Sequence, residues 1–233
     1  MAPHYEKAPV ERRTFIGRVT TAAAAVLAAL GAGSAVRAYG TASSASVSGW
    51  QPARHPQDDW YEETPAKHRM FIDTTTATGL MEGMAFTRNF LDANQSAYGL
   101  ADADSAAIIC LRHHSTSFAF SDAMWAKYSA SLSERSAYTD PETGLAPTVN
   151  PCEREGAQGV TLSKLAKRGI RYAVCSMATK RIAASIADKT GAKADAVFTE
   201  LTQHLVPGCH MVPAGIVAVN RSQERGYTLT TVA

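Results

Sequence analysis

The chain has 233 residues, of which 45% are hydrophobic, and a formal net charge of only +2 at pH 7. A chain of this length and apolar content buries a sizeable core, which excludes bulk disorder. The near-neutral charge and the lack of a basic run in the body argue against a nucleic-acid partner.

The first 38 residues have the pattern of an export signal. Arg12 and Arg13 stand just before a moderately apolar, Ala-rich run that ends in small residues. This order is typical of a twin-arginine signal, and cleavage after Ala35 or Ala38 fits the small residues. The alternative is an uncleaved anchor, although the run is near the lower length limit for a span. We therefore expect a periplasmic or otherwise extracytoplasmic protein, exported folded, that meets the membrane only through this signal.

Residues 39–67 contain Ser, Pro and Trp without sustained periodicity, which predicts an extended arm. Trp50, Trp60 and Tyr61 indicate that parts of this arm contact the body or a neighbouring subunit. A flexible tether is the alternative.

Residues 68–233 alternate between strand and helix patterns, beginning with the strand "RMFIDTTT". This alternation predicts a parallel sheet with helices on both faces, and five strands indicate a flavodoxin-like three-layer α/β sandwich. No GxGxxG or Walker sequence follows a strand, so no nucleotide cofactor is expected. After the first strand the predicted elements are, in chain order, helix "GLMEGMAFTRNFLDAN", strand "SAAIICLRHH", helix "SDAMWAKYSASL", a long loop, helix "VTLSKLAKRG", strand "IRYAVC", helices "ATKRIAASIADKTG" and "AKADAVFTELTQHL", strand "CHMV", helix "AGIVAVNRSQERG" and strand "YTLTTV".

Polar and reactive side chains follow the first three predicted strands. In an open parallel sheet, the ligand crevice lies beyond the carboxyl ends of the strands, so these side chains form the candidate site. They are Asp73 and Thr74 after the first strand, Arg112, His113 and His114 after the second, and Cys175 and Ser176 after the third.

Cys175 stands three residues before the helix expected to begin near Ala178. Unpaired amides at a helix start and nearby cations both stabilise a thiolate. Arg112 and a protonated His113 or His114 supply the cations, so the pattern suits a thiolate nucleophile or a persulfide. The alternative is a small, buried core cysteine.

The body, from about residue 67 onward, resembles the DsrE/DsrF-like sulfur-relay family, which includes TusD-type sulfurtransferase subunits. The resemblance rests on "RMFIDTTT", "AAIICLRHHSTSFAFSDAMWAKY" and "LAKRGIRYAVCSMAT". It implies a sulfur carrier or sulfurtransferase, with Cys175 at the position that holds a persulfide in the family. It also implies a homo-oligomer that works without a cofactor and exchanges sulfur with a donor or acceptor protein or a small sulfur species.

Two features depart from the family pattern: the export signal and the inserted loop "TDPETGLAPTVNPCEREG". A non-catalytic ligand-binding or oligomeric assembly module of the same fold therefore stays open as an alternative function.

Of the remaining cysteines, Cys110 lies in an apolar strand and is expected in the core, whereas Cys152 and Cys209 are disulfide candidates. Adjacent histidines on a strand point to opposite faces, and no CxxC, HxH or HExxH motif is present. We therefore expect no metal site at His113 and His114.

Overall fold

The computed structural model describes residues 51–156 and 159–233. The export signal expected at residues 1–38, and the first part of the arm with Trp50, lie outside the described residues. No helix in the described ranges has both the length and the apolar character needed to cross a membrane.

Five parallel strands form one sheet in the order β4-β3-β2-β1-β5, with helices packed around it. This confirms the expected α/β sandwich with a parallel sheet. The strands are β1 (His68–Thr74), β2 (Ser105–Leu111), β3 (Arg171–Cys175), β4 (Cys209–Val212) and β5 (Thr228–Val232). The helices are α1 (Ala77–Tyr98), α2 (Asp122–Ser136), α3 (Leu162–Lys167), α4 (Ser176–Thr190), α5 (Ala194–Gln203) and α6 (Gly215–Glu224).

The strand order decides which face each helix covers. The chain moves across the sheet in one direction from β1 to β4, and right-handed crossovers then place α1 to α5 on one face. The return from β4 to β5 runs in the opposite direction, so α6 covers the other face, which we call the α6 face. Alternate strand residues match this division, since Ile72 and Ile109 pack in one hydrophobic cluster and Phe71 and Ile108 in the other.

A short 3₁₀ helix, Pro56–Glu62, which we call the strap, completes the layer over the α6 face. Its Trp60 and Tyr61 are buried and belong to the same hydrophobic cluster as Phe71. The Asp58 carboxylate lies 3.5 Å from the guanidinium of Arg225, whose side chain is only 1% exposed. The strap is thus held to the body by apolar burial and by a buried ion pair.

The register of the sheet determines which candidate site residues lie on the same side at its carboxyl edge. Asp73 pairs with Cys110, Cys110 with Ala173, and Cys175 with Val212. Paired residues of parallel strands share a face, and Cys110, Ala173 and Val212 all pack on the α6 face. Asp73 and Cys175 are therefore two strands apart along the same side of the sheet.

Helix α2 begins at Asp122, within the predicted helical segment that starts at Ser121. Ser121 is the N-cap residue, but its side chain makes no capping hydrogen bond. The Asp122 carboxylate instead accepts the backbone N–H of Asn150 at 2.8 Å. The side-chain amide of the fully buried Asn150 donates to Phe118 and Phe120, which fixes the long loop to the body.

Candidate functional site

Cys175 ends β3 and is the N-cap residue of α4. Its Sγ accepts the backbone N–H of Ala178 at 3.4 Å, and its carbonyl accepts the hydroxyl of Thr179 at 3.0 Å. The sulfur therefore lies at the positive end of a 15-residue helix, where unpaired amides and the helix dipole favour an anion.

The sulfur lies near the surface without being open to it. Cys175 is 7% exposed and belongs to neither hydrophobic cluster of the described residues. The next residue, Ser176, is half-buried, and Met177 is 53% exposed. Cys175 therefore directly precedes a half-buried and an exposed residue at the start of α4.

Asp73 and Arg112 form a bidentate ion pair at the same edge of the sheet. Arg112 Nε donates to Asp73 Oδ1 at 2.6 Å, and Nη2 donates to Oδ2 at 2.8 Å. The Asp73 side chain is 5% exposed and that of Arg112 is 26% exposed. Hydrogen bonding to Asp73 is the main cause that raises the pKa of Arg112, and the charge interaction with Cys175 acts in the same direction. Asp73 therefore fixes the guanidinium within electrostatic range of Cys175.

Gly215, the first residue of α6, lies in close contact with the Arg112 side chain. A Cβ at this position would lie 2.5 Å from Arg112 Cβ and 2.7 Å from its Cδ. Only glycine leaves room for the arginine to cross the start of α6. Gly215 opens α6 three residues after β4 ends, and no local sequence pattern signals its close approach to Arg112.

Thr74 and Cys110 contribute to the framework of the site. The Thr74 hydroxyl donates to the Cys110 carbonyl at 2.7 Å, and the Ser115 hydroxyl donates to the Thr74 carbonyl at 2.9 Å. Both Thr74 and Cys110 are fully buried, and burial raises the pKa of the Cys110 thiol. Thr74 therefore joins β1, β2 and the loop that follows β2, and its hydroxyl faces no solvent.

His113 and His114 lie together on the 3₁₀ turn after β2, His113–Ala119. Their ring centroids are 4.0 Å apart in an edge-to-face arrangement, and His114 Nδ1 donates to the Arg135 carbonyl at 2.7 Å. Among the described residues, no hydrogen bond or ring contact joins either histidine to Cys175. Of Arg112, His113 and His114, Arg112 is the one paired with Asp73, which lies on the same side of the sheet as Cys175.

A cavity of about 360 Å³ opens beside Ser176, between the strap and the β4–α6 junction. Trp60 forms one wall and stacks on His210 with ring centroids 4.5 Å apart. Burial lowers the pKa of His210, which favours its neutral ring. The remaining wall is mostly apolar and includes Met211, Val212, Pro213, Val217 and Ala218.

The other chemistry expected from the sequence is placed as follows. Cys152 and Cys209 are both free thiols, and burial raises the pKa of each, so the disulfide is not formed in this structure. In the ranges 51–156 and 159–233, no three His, Cys, Asp or Glu side chains converge as metal ligands do.

Comparison of the chain with protein-family models gives no match, and comparison with curated protein sequences gives none either.

Proposed function

We propose that this protein is an exported sulfur carrier or sulfurtransferase of the DsrE-like kind, holding sulfane sulfur as a persulfide on Cys175. One observation carries the proposal: the Ala178 N–H is directed at Cys175 Sγ in the first turn of α4. A thiol that is part of the core has no need of such a donor, whereas a thiolate or persulfide anion is stabilised by it.

The chemistry needs one nucleophilic displacement and no net redox change. The Cys175 thiolate attacks the outer sulfur of a donor persulfide, forming a new S–S bond while the donor's S–S bond breaks. The donor thiolate leaves with the bonding electron pair. With thiosulfate as donor, the same attack releases sulfite. Transfer to an acceptor thiolate repeats the displacement with Cys175 as the leaving group.

Two features stabilise the anionic sulfur in this account. The start of α4 supplies a backbone donor and the positive end of the helix dipole, worth about 0.3–1 kcal/mol at an exposed site and up to about 2 kcal/mol when partly buried. Arg112 adds a fixed positive charge, although its bidentate pairing with Asp73 offsets much of the field. The helix start is therefore assigned the larger share.

The cellular setting is part of the same proposal. The twin-arginine pattern of residues 1–38 directs the folded chain to an extracytoplasmic space, where a partner has to keep Cys175 reduced. The resemblance to sulfur-relay proteins adds a homo-oligomer and a sulfur donor or acceptor.

Sulfur loading is tested by intact-protein mass spectrometry after incubation with thiosulfate or a low-molecular-weight persulfide. We expect the chain to gain the mass of one sulfur atom and Cys175→Ser to gain none. Cys209→Ser is the matched control, because Cys209 is also a free thiol, yet it has no helix amide at its sulfur. An unchanged mass, or equal gain in Cys175→Ser, rules the carrier role out.

A second candidate function, a ligand-binding module without turnover, is favoured by the apolar cavity beside the strap. In that case Cys175, at 7% exposure, serves only packing. The native thiol would then resist alkylation at every pH below the unfolding range, and Cys175→Ser would lower the free energy of unfolding without changing any sulfur chemistry.

A further inference from the structure

Three basic side chains near the loop after β2 form no ion pair with a carboxylate among the described residues. They are His113 and His114 after β2 and Arg135 in the last turn of α2, and we call them the basic cluster. The structure links its members directly, since the two rings are in contact and His114 donates to the Arg135 carbonyl. Within residues 51–156 and 159–233, none of the ion pairs includes Arg135, His113 or His114.

Arg135 is the member of the cluster with an unpaired hydrogen-bond donor. Its Nε–H is shielded from solvent and has no hydrogen-bond partner among the described residues, and a buried unpaired donor of this kind is costly. The neighbouring carboxylate, Glu134, is already paired with Lys189. The positive charge of Arg135 is therefore not neutralised by a carboxylate within the described ranges.

The backbone of His113 is in an unfavourable conformation. It has a left-handed φ of 57°, which is strained for a non-glycine residue and is commonly retained at functional sites. Its pKa is lowered by burial and then by the neighbouring His114 and Arg135 charges. A strained backbone residue thus lies beside an arginine charge that no carboxylate neutralises within the described ranges.

We propose that the basic cluster binds a small tetrahedral oxyanion, of the class of sulfate, thiosulfate and phosphate, between His113, His114 and Arg135. The guanidinium supplies a planar set of N–H donors suited to an oxyanion. The two imidazoles supply N–H donors when protonated.

His114 Nδ1 carries the proton that is donated to the Arg135 carbonyl. The pH dependence of the site comes from His113, because protonation of its ring adds a positive charge beside the oxyanion. The charged groups around His113 are His114 and Arg112 from its own segment and Arg135 from α2, and the Thr75 carbonyl is its backbone partner.

The site is independent of the thiol chemistry proposed for Cys175, and the experiment separates the two. Thiosulfate, sulfate and phosphate are titrated against the full chain and against Cys175→Ser at constant ionic strength, with chloride as the reference anion. Histidine ring signals in NMR spectra report the binding. We expect saturable binding of the oxyanions, equal in both proteins, that tightens between about pH 7.5 and pH 5.5.

Variants locate the site. Arg135→Gln should weaken binding about 10- to 100-fold, because a charged hydrogen-bonded contact is lost. His113→Asn, which tolerates the left-handed backbone, should weaken it at acidic pH, and it keeps the test valid if Arg135→Gln does not fold. Arg181→Gln, at an exposed arginine on α4, is the control and should bind as the natural chain does. Chloride-like binding, or equal losses in Arg135→Gln and Arg181→Gln, would overturn the proposal.

Discussion

Replacing Asp73 by Asn removes a negative charge that lies on the same side of the sheet as Cys175. The two residues are two strands apart. Ala173 is level with Asp73 across the sheet, and Cys175 is two residues further along the same strand. With a strand spacing of about 4.8 Å and a rise of about 3.3 Å per residue, their Cα atoms are roughly 12 Å apart. The substitution therefore changes the field at the sulfur without touching it.

The size of the effect follows from Coulomb's law. At roughly 12 Å and an effective dielectric constant of about 20, two unit charges interact by about 1.4 kcal/mol, or about one pKa unit. Salt screening over a Debye length of about 8 Å reduces this further. We expect Asp73→Asn to raise the rate of Cys175 alkylation at a fixed neutral pH by roughly threefold, since Arg112 keeps its charge and loses its partner.

The assay is the rate of iodoacetamide alkylation at Cys175 as a function of pH, followed by peptide mass mapping. Asp102→Asn is the matched control, because Asp102 forms a similar bidentate pair with Arg168 at 2.8 and 2.9 Å but lies beside the start of β2. Arg112→Gln should shift the alkylation profile in the opposite direction. An unchanged or lower alkylation rate in Asp73→Asn would refute the electrostatic reasoning.

Three further outcomes are expected. Gly215→Ala should lower the free energy of unfolding by about 1–3 kcal/mol in urea titrations, because its Cβ would lie 2.5 Å from Arg112 Cβ, and the loss should be smaller in an Arg112→Gly background, which lacks that Cβ. Trp60→Ala should cost about 3–5 kcal/mol and make the strap sensitive to proteolysis, whereas unchanged stability would show that the strap does not seal the α6 face. The pKa of His113 is lowered in the fold, so its contribution to stability is present above its unfolded value, about 6.5, and is lost as the pH falls through its folded value. The urea midpoint should therefore fall on acidification less in His113→Asn than in the natural chain, and a fall of equal size would contradict the clustering of positive charge.

The features that sequence reasoning predicts here are local ones. Alternating apolar strands and amphipathic helices are sufficient to predict the parallel sheet, and "YAVCSMAT" is sufficient to place Cys175 where a strand gives way to a helix. The helix begins at Ser176 rather than near Ala178, which makes Cys175 itself the N-cap residue.

The contacts between elements required the structure. Asp73 and Arg112 were both expected at the carboxyl edge, but their bidentate pairing depends on β1 and β2 being neighbours in register. A protonated His113 or His114 was expected, with Arg112, to supply positive charge for the thiolate. The chain leaves β2 through a left-handed residue and a 3₁₀ turn, and His114 donates to the Arg135 carbonyl in the last turn of α2. No local sequence pattern predicts the hydrogen bond from His114 to the Arg135 carbonyl, 21 residues further along the chain.

The proposed carrier role is tested most directly by the sulfur that the loaded protein gives up. After incubation with thiosulfate and removal of excess donor, cyanide attacks the outer sulfur of a persulfide and leaves the cysteine as a thiolate. We predict one thiocyanate released per natural chain and none from Cys175→Ser. No thiocyanate from the natural chain, or equal amounts from both proteins, would contradict the assignment of Cys175 as the sulfur carrier.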